Sequence, residues 1–281
     1  MIVTIDIGNS RIKWAGWRDG VIVARGSAVH AGGSLSDDFF HQLFAVPFAS
    51  GSPDQSDSAG NMWSPSQIFA VCVADQDIRR ALDLWIEQNW AVSIDYLQTQ
   101  KHYKDIIHAY AEPSQHGADR WAALIAAQKM FPGAGLCVIS AGTAITFDFI
   151  DKQGQHLGGY ILPSFRTMHK ALTADTANVI SAAEVFRDDA GNNGEDNLSL
   201  PVNTNDAVNA GLHRLLRSGI RDICATGVND RTDDAGWQIV ITGGGAEEVL
   251  AYPDMPVMQH VPDLVMLGLY EVLNREDGAA G

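Results

Sequence analysis

Apolar residues run Ile2-Val3-Thr4-Ile5 and resume after Asp6 at Ile7, which predicts a strand over about residues 2 to 7. Gly8-Asn9 reads as a tight turn, Arg11-Ile12-Lys13-Trp14-Ala15 as a second strand, and Gly20 to Arg25 as a third. The unbroken apolar run Ile68-Phe69-Ala70-Val71-Cys72-Val73 predicts a buried strand. A helix follows from Asp77 to Asn89, with Ile78, Leu82, Leu84 and Trp85 as its apolar positions. Gly117 to Met130 is Ala-rich with helical spacing, and Asp119 stands near its start as a cap would. Then the pattern restarts. Strands are expected at about 136 to 140, 144 to 150 and 157 to 162, a helix after Pro163, a long helix from about Asp206 to Ala225, a strand at Gln238 to Ile241 and a last helix after Pro262. Meander strands followed by alternating helices occur twice, so the chain reads as α/β with two domains and a boundary near residues 115 to 135. The Ser-, Gly-, Asp- and Pro-rich stretch 49 to 66 and the Asp-, Asn- and Gly-rich stretch 185 to 202 read as loops, the second as a loop or flap.

Composition narrows the picture. The chain has 281 residues, 46% of them hydrophobic, enough for a substantial core and two ordinary domains. A formal charge of -15 argues against broad nucleic-acid binding or attachment to an anionic membrane, so any phosphate site must be built locally from backbone amides and a few cations. Cys72, Cys137 and Cys224 are odd in number and widely spaced, which supports neither a disulfide framework nor a zinc cluster and suggests buried thiols. With no charged leader ahead of an apolar signal core and no run approaching about 18 apolar residues, the expectation is a cytoplasmic protein.

The chemistry lies in repeated glycine turns. Ile5-Asp6-Ile7-Gly8-Asn9-Ser10 and Ile139-Ser140-Ala141-Gly142-Thr143-Ala144 share one design, a strand that breaks at glycine beside a hydroxyl or amide side chain. Such bends let backbone N–H groups approach an anion, and two of them suggest a duplicated fold that grips a polyphosphate between its halves. In the first, Gly8 would permit φ > 0, Asn9 or Ser10 could donate to phosphate, and Lys13 would reach the same side; an ordinary hairpin turn is the plainer reading. Gly117-Ala118-Asp119-Arg120 opens a helix, setting a carboxylate and a guanidinium where the positive helix end favours an anion. Asp119 as general base and Arg120 as carboxylate clamp compete there with a plain N-cap beside a surface arginine. Gly158-Gly159, Pro163 and Gly243-Gly244-Gly245, at predicted strand ends, either form turns or let a ring or phosphate lie on bare backbone. The nine histidines lack metal-ligand spacing, and no Gly-x-Ser-x-Gly elbow follows a strand.

Taken together, Ile5 to Trp14, Gly117-Ala118-Asp119-Arg120-Trp121, Gly142-Thr143-Ala144-Ile145-Thr146, Gly158 to Pro163, Thr204 to Gly211 and Thr242-Gly243-Gly244 resemble the type III pantothenate kinases, in order and spacing over nearly the whole chain. That family belongs to the acetate/sugar kinase, Hsc70 and actin superfamily, and some members were first described as accessory transcription factors. The resemblance implies two ribonuclease H-like (actin-like ATPase) domains, residues 1–116 and 117–281, each a mixed five-stranded sheet with flanking helices, with a cleft between them. It implies ATP-dependent phosphorylation of pantothenate with Mg²⁺. Asp6 would stand at the metal, through water, and at the phosphates; Gly8, Asn9, Ser10 and Lys13 would form the first phosphate loop, Gly142 and Thr143 the second, and Gly243 and Gly244 the adenosine side. Asp119 would act on the pantothenate hydroxyl, while Tyr110, Gly117, Ala118 and Arg120 line the substrate pocket. Thr204 would reach pantothenate from the neighbouring subunit of a homodimer, with the pocket at the interface. Two positions depart from the family. Ser140 replaces the usual Asp that helps hold a monovalent cation, K⁺ or NH₄⁺, and Ser164 replaces the glycine after Pro163. These departures motivate an alternative, a non-catalytic nucleotide-binding regulatory relative. A kinase of another small alcohol would use the same phosphate loops.

Overall fold

The computed structural model describes residues 1–30, 32–33, 35–45, 64–174, 200–229 and 237–278. The stretches 46–63 and 175–199, which hold most of the two expected loops, lie outside the described residues. Close contacts divide the chain into two units, Met1–Gln100 with Glu112–Ala126 and Leu264–Gly281, and Lys101–Ala111 with Ala127–Asp263. A cut between residues 116 and 117 is a linear boundary, whereas each of these units is assembled from two or three chain segments.

The first unit is built on β1 (Ile2–Ile7), β2 (Arg11–Arg18), β3 (Val21–Val29), β4 (Gln67–Cys72) and β5 (Ile94–Tyr96), in the order β3-β2-β1-β4-β5. The meander pairs are antiparallel, while β1 with β4 and β4 with β5 are parallel. Period-two alternation sends Val3, Ile5 and Ile7 to one face, where they join Ile12, Trp14, Ile68 and Ala70. Helices α1 (Asp37–Leu43) and α2 (Gln76–Trp90) cover that face with Phe40, Leu43, Ile78, Leu82, Trp85 and Trp90. Trp14 carries its polar atom into this core without loss, because its Nε1–H donates to the Leu43 carbonyl at 2.8 Å.

Thr4 points to the opposite face and is fully buried. Its hydroxyl accepts from Trp17 Nε1 at 2.8 Å and donates to Met266 Sδ at 3.4 Å. Met266 belongs to the last helix, Leu264–Gly278, here α7, whose Tyr270 stacks on Trp17 with ring centroids 4.2 Å apart. Gly268 of α7 lies against the Ala122 carbonyl of α3 (Ala118–Met130), so close that any Cβ there would collide with it. The end of the chain thus returns to complete the unit begun by its first residues.

The second unit repeats the plan. Strands β8 (Leu136–Ala141), β9 (Ala144–Ile150), β10 (His156–Pro163), β11 (Gln238–Thr242) and β12 (Gln259–His260) form a sheet in the order β10-β9-β8-β11-β12. Again the meander is antiparallel and the crossover strands are parallel. Ile139, Phe147, Phe149 and Ile241 form a core with Phe165 of α4 (Phe165–Ala174), with Leu216 and Ile220 of α5 (Thr204–Asn229) and with Val249 of α6 (Ala246–Leu250). A two-residue hairpin, β6 (His102–Tyr103) with β7 (Ile106–Ile107), also belongs here. Each unit is thus an α/β body, a mixed five-stranded sheet with flanking helices, and the plan occurs twice as the sequence predicts.

Two expectations about local structure change. Gly158 and Gly159 lie inside β10, not at its end: the register shifts between His156 and Gly158, Gly158 has φ +106°, and a Cβ on Gly159 would collide with the Phe147 carbonyl. They are the glycines of a bulge in an edge strand. Cys137 and Cys224 are buried as expected, but Cys72, at the end of β4, is half-buried. Among the described residues no helix is long and apolar enough to cross a membrane.

Candidate active site

In open α/β sheets the usable surface lies beyond the carboxyl ends of the parallel strands, where amide N–H groups and strand-end side chains converge. Asp6 occupies that end of β1 and is paired across the ladder with Lys13. The Gly8-Asn9-Ser10 turn then leads into β2. Its glycine is favoured for a reason other than the one the sequence suggests. Gly8 is absent from the positive-φ glycines, and a Cβ there would lie 3.2 Å from the Arg11 carbonyl, to which the Gly8 N–H donates at 3.0 Å. Close approach, and not left-handed backbone, selects glycine here.

Asp119 stands in the first turn of α3, whose first bond runs from the Trp121 N–H to the Gly117 carbonyl at 3.0 Å. The residue at the cap position is therefore Gly117, and Asp119 lies inside the helix. Its Oδ1 turns back to accept the Arg120 N–H at 2.8 Å, which places the carboxylate where a Cβ on Gly117 would come within 2.5 Å of it. A glycine before Asp119 keeps the acid in that position. Arg120 is only 6% exposed, which removes the reading of a surface arginine.

Asp6 and Asp119 influence one another. Asp6 is pushed up to about 7, mainly by burial and further by the Asp119 charge, with Lys13 pulling the other way. Burial likewise raises Asp119, opposed by the Arg120 N–H, the Arg120 guanidinium and His116. Both carboxylates thus resist ionising, with a lysine acting on Asp6 and an arginine and a histidine on Asp119. Gly117, Ala118 and His116 also wall a cavity of about 190 Å³, with Cys72 at the end of β4, Val73 just after it, and Gln98 and Thr99 beyond β5.

In the second unit the corresponding strand ends belong to β8 and β11. Ser140 pairs with Thr146 and with Thr242, and the Gly142 N–H closes the next turn by donating to the Ala144 carbonyl at 2.9 Å. Thr143 is exposed, and its carbonyl accepts from the Thr167 hydroxyl at 2.7 Å. The glycine triplet lies against the same turn. Gly243 has φ +99° and would drive a Cβ into the Ala141 carbonyl, Gly245 donates to that carbonyl at 3.0 Å, and Gly244 faces open space. Ser140, Gly142, Thr143, Gly243 and Gly244 are thus brought together by parallel strands β8 and β11.

Tyr110 follows the β6–β7 hairpin. Its N–H donates to His108 Nδ1 at 3.1 Å, its carbonyl accepts from Lys101 Nζ at 3.0 Å, and its ring lies parallel to that of His156 at 6.0 Å. His156 is buried against Asp148 at 3.3 Å. Thr204 opens α5 as an exposed residue one position after Asn203, whose side chain caps the helix by accepting the Asp206 N–H at 3.0 Å. The larger cavity of this unit, about 670 Å³, is walled by Ser218, Arg221, Cys224 and Met255 among others and holds none of the candidate residues.

Sequence reasoning missed two histidines. His116 is buried beside Asp119, and His30 is buried against the Gly8 turn. Spacing carries no signal for either, although His116 directly precedes Gly117.

The family model and the curated relatives agree on one family. The model of the type III pantothenate kinases matches residues 2–226. The type III pantothenate kinase of Halorhodospira halophila is 32% identical over 278 residues, covering 96% of this chain and 96% of that one. That of Azoarcus sp. is 32% identical over 272 residues, covering 96% and 89%. Among solved structures, one from Campylobacter jejuni described as a Baf family transcriptional activator superposes with a TM-score of 0.55 at 18% identity, over 98% of this chain and 99% of that one. The activator of the 2-hydroxyisocaproyl-CoA dehydratase from Clostridium difficile, with bound ADPNP, gives 0.50 at 11%, over 99% and 97%. At such identities these structures speak for the fold alone.

Proposed function

The chain belongs to the type III pantothenate kinase family and phosphorylates pantothenate with ATP in coenzyme A biosynthesis, and we propose that Asp119, Arg120 and the glycine turns carry that reaction. Coupling of Asp6 to Asp119 beside Lys13 is the observation that supports this distribution of roles most strongly.

Phosphoryl transfer passes through a loose transition state, so the protein chiefly aligns reactants and neutralises charge. Gly8, Asn9, Ser10 and Lys13 are read as one phosphate loop, Gly142 and Thr143 as another, and Gly243 and Gly244 as the adenosine side. Arg120 is read as the clamp on the pantothenate carboxylate, with Tyr110, Gly117 and Ala118 lining the acceptor pocket. Asp119 orients the primary hydroxyl of pantothenate and takes its proton as the oxygen bonds to the γ-phosphorus and ADP departs. A raised acid suits this role, because a base accepts a proton better as its own affinity for one rises. Asp6 would hold Mg²⁺ through water, and the ion would supply positive charge to the phosphate oxygens. Ser140 marks the monovalent cation position, where a neutral hydroxyl replaces a charge. In a homodimer, Thr204 of one subunit would complete the pocket of the other. Leu200 and Val202, 85% and 96% exposed just before it, support a protein contact there. A cytoplasmic location is part of the same proposal.

Purified protein supplied with ATP, Mg²⁺ and pantothenate should yield phosphopantothenate, and K⁺ or NH₄⁺ should change the rate little if Ser140 binds the ion without charge. A rate above background only with a sugar or polyol acceptor would overturn the choice of substrate. No turnover with any acceptor would instead favour the regulatory alternative, which the family relationship does not.

Asp6 gives a pH signature. The folded protein holds its proton up to about pH 7, whereas an ordinary carboxyl releases it near 3.8. Folding therefore loses nothing to Asp6 below pH 4, and the loss grows as pH rises to 7 and stays complete above it. Asp6→Asn should exceed the parent in stability at pH 8 without metal by at least about 1 kcal/mol, about 2–4 °C in Tm, and match it at pH 4. Thermal unfolding at the two pH values checks this, and a parent more stable at pH 8 would remove the burial argument.

A further inference from the structure

His30 is the first residue after β3, and it is buried at 7% exposure. Its backbone N–H donates to the Ser10 carbonyl at 3.0 Å. Both ring nitrogens are also engaged. Nδ1 accepts the Gly32 N–H at 3.3 Å, and Nε2 lies 2.9 Å from the Gly8 carbonyl oxygen. An amide N–H can only donate and a carbonyl can only accept, so the ring is neutral with its proton on Nε2. One side chain and its own amide therefore hold two carbonyls of the Gly8-Asn9-Ser10 turn.

This fixes a direction. The peptide unit is planar and trans, so its C=O and the following N–H point opposite ways, and there is no cis peptide bond among the described residues. With the Gly8 carbonyl held by His30, the N–H of exposed Asn9 points away from the His30 ring. The Gly8 N–H is already committed to the Arg11 carbonyl. The turn is thus pinned at both groups of Gly8 and presents the next amide away from that ring.

We propose that His30 is a positioning residue for ATP: by holding the Gly8 carbonyl it aims the Asn9 N–H at a phosphate oxygen of the nucleotide. The inference rests on the reading of Gly8 to Lys13 as a phosphate loop. It assigns His30 no contact with ATP and no part in proton transfer.

Three variants of the full-length protein test it, with steady-state kinetics in both substrates and thermal unfolding on each. His30→Ala should raise KM for ATP about three- to tenfold, the loss that follows from one neutral hydrogen bond, with KM for pantothenate within about twofold. His30→Gln, whose amide N–H can still reach the Gly8 carbonyl, should recover most of that loss. Lys13→Ala tests the underlying reading and should raise KM for ATP by itself. If Lys13→Ala raises it and His30→Ala does not, the role of His30 falls while the phosphate loop stands. If Lys13→Ala leaves it unchanged, the loop reading falls and this inference with it. A parallel rise in both KM values with a lowered Tm and no recovery in His30→Gln would make His30 a structural residue only, and would also overturn the proposal.

Discussion

Asp119→Ala is expected to bind ATP as the parent does and to form phosphopantothenate about 10²–10⁴-fold more slowly, the range that a positioned acid or base contributes. Asp119 reaches its position through local features, a glycine before it that leaves room for the carboxylate and an Arg120 N–H that fixes one oxygen. On the proposed role, removing the carboxylate deletes the proton acceptor and leaves the Gly8 turn intact, so kcat should fall while calorimetric ATP affinity stays within about twofold. It should also lower the proton affinity of Asp6, because one of the two causes that raise it is the Asp119 charge. Asp119→Asn is the sharper variant, since it keeps volume and hydrogen bonding. Turnover within tenfold of the parent in both variants would remove Asp119 from the chemistry.

Arg120→Ala should act on the other substrate. A buried guanidinium that meets a carboxylate makes charge-assisted hydrogen bonds, and truncating one partner of such a pair costs about 2–5 kcal/mol. KM for pantothenate is therefore expected to rise about 30- to 5,000-fold with little change in KM for ATP. Pantothenol, which carries an alcohol in place of the acid, separates this role from simple loss of packing. It should lose little between parent and Arg120→Ala if Arg120 reads the carboxylate, and as much as pantothenate if the arginine only supports the fold. Arg120→Lys should recover part of the loss, since an ammonium keeps the charge without the planar fork.

Much of the fold was legible because its long elements repeat their periods several times. Strands β1, β2, β4, β8, β9 and β11 and helices α2, α3, α5 and α7 stand close to where alternation and helical spacing put them. The elements that escaped notice are short. β5 has three residues, β12 two and α6 five, too few to show a period. α1 did carry a signal, the cap Ser36, whose hydroxyl accepts the Phe39 N–H at 3.3 Å. Motif spacing could say that Gly8 and Gly243 must be glycine but not why. Gly243 needs positive φ and bare space, Gly8 only the space. What no local pattern contains is tertiary: the burial of Arg120, the effect of the Asp119 charge on Asp6, and the grip of His30 on a turn about twenty residues earlier.

The return of α7 to the first sheet has a consequence for synthesis. Thr4 leaves the ribosome 262 residues ahead of Met266, which covers it, and Trp17 likewise waits for Tyr270. At about 5–20 residues per second the nascent sheet waits on the order of tens of seconds with that face uncovered. Until α7 (Leu264–Gly278) has been made, that face of the sheet is uncovered during translation, and a product truncated before Leu264 would lack its closing helix.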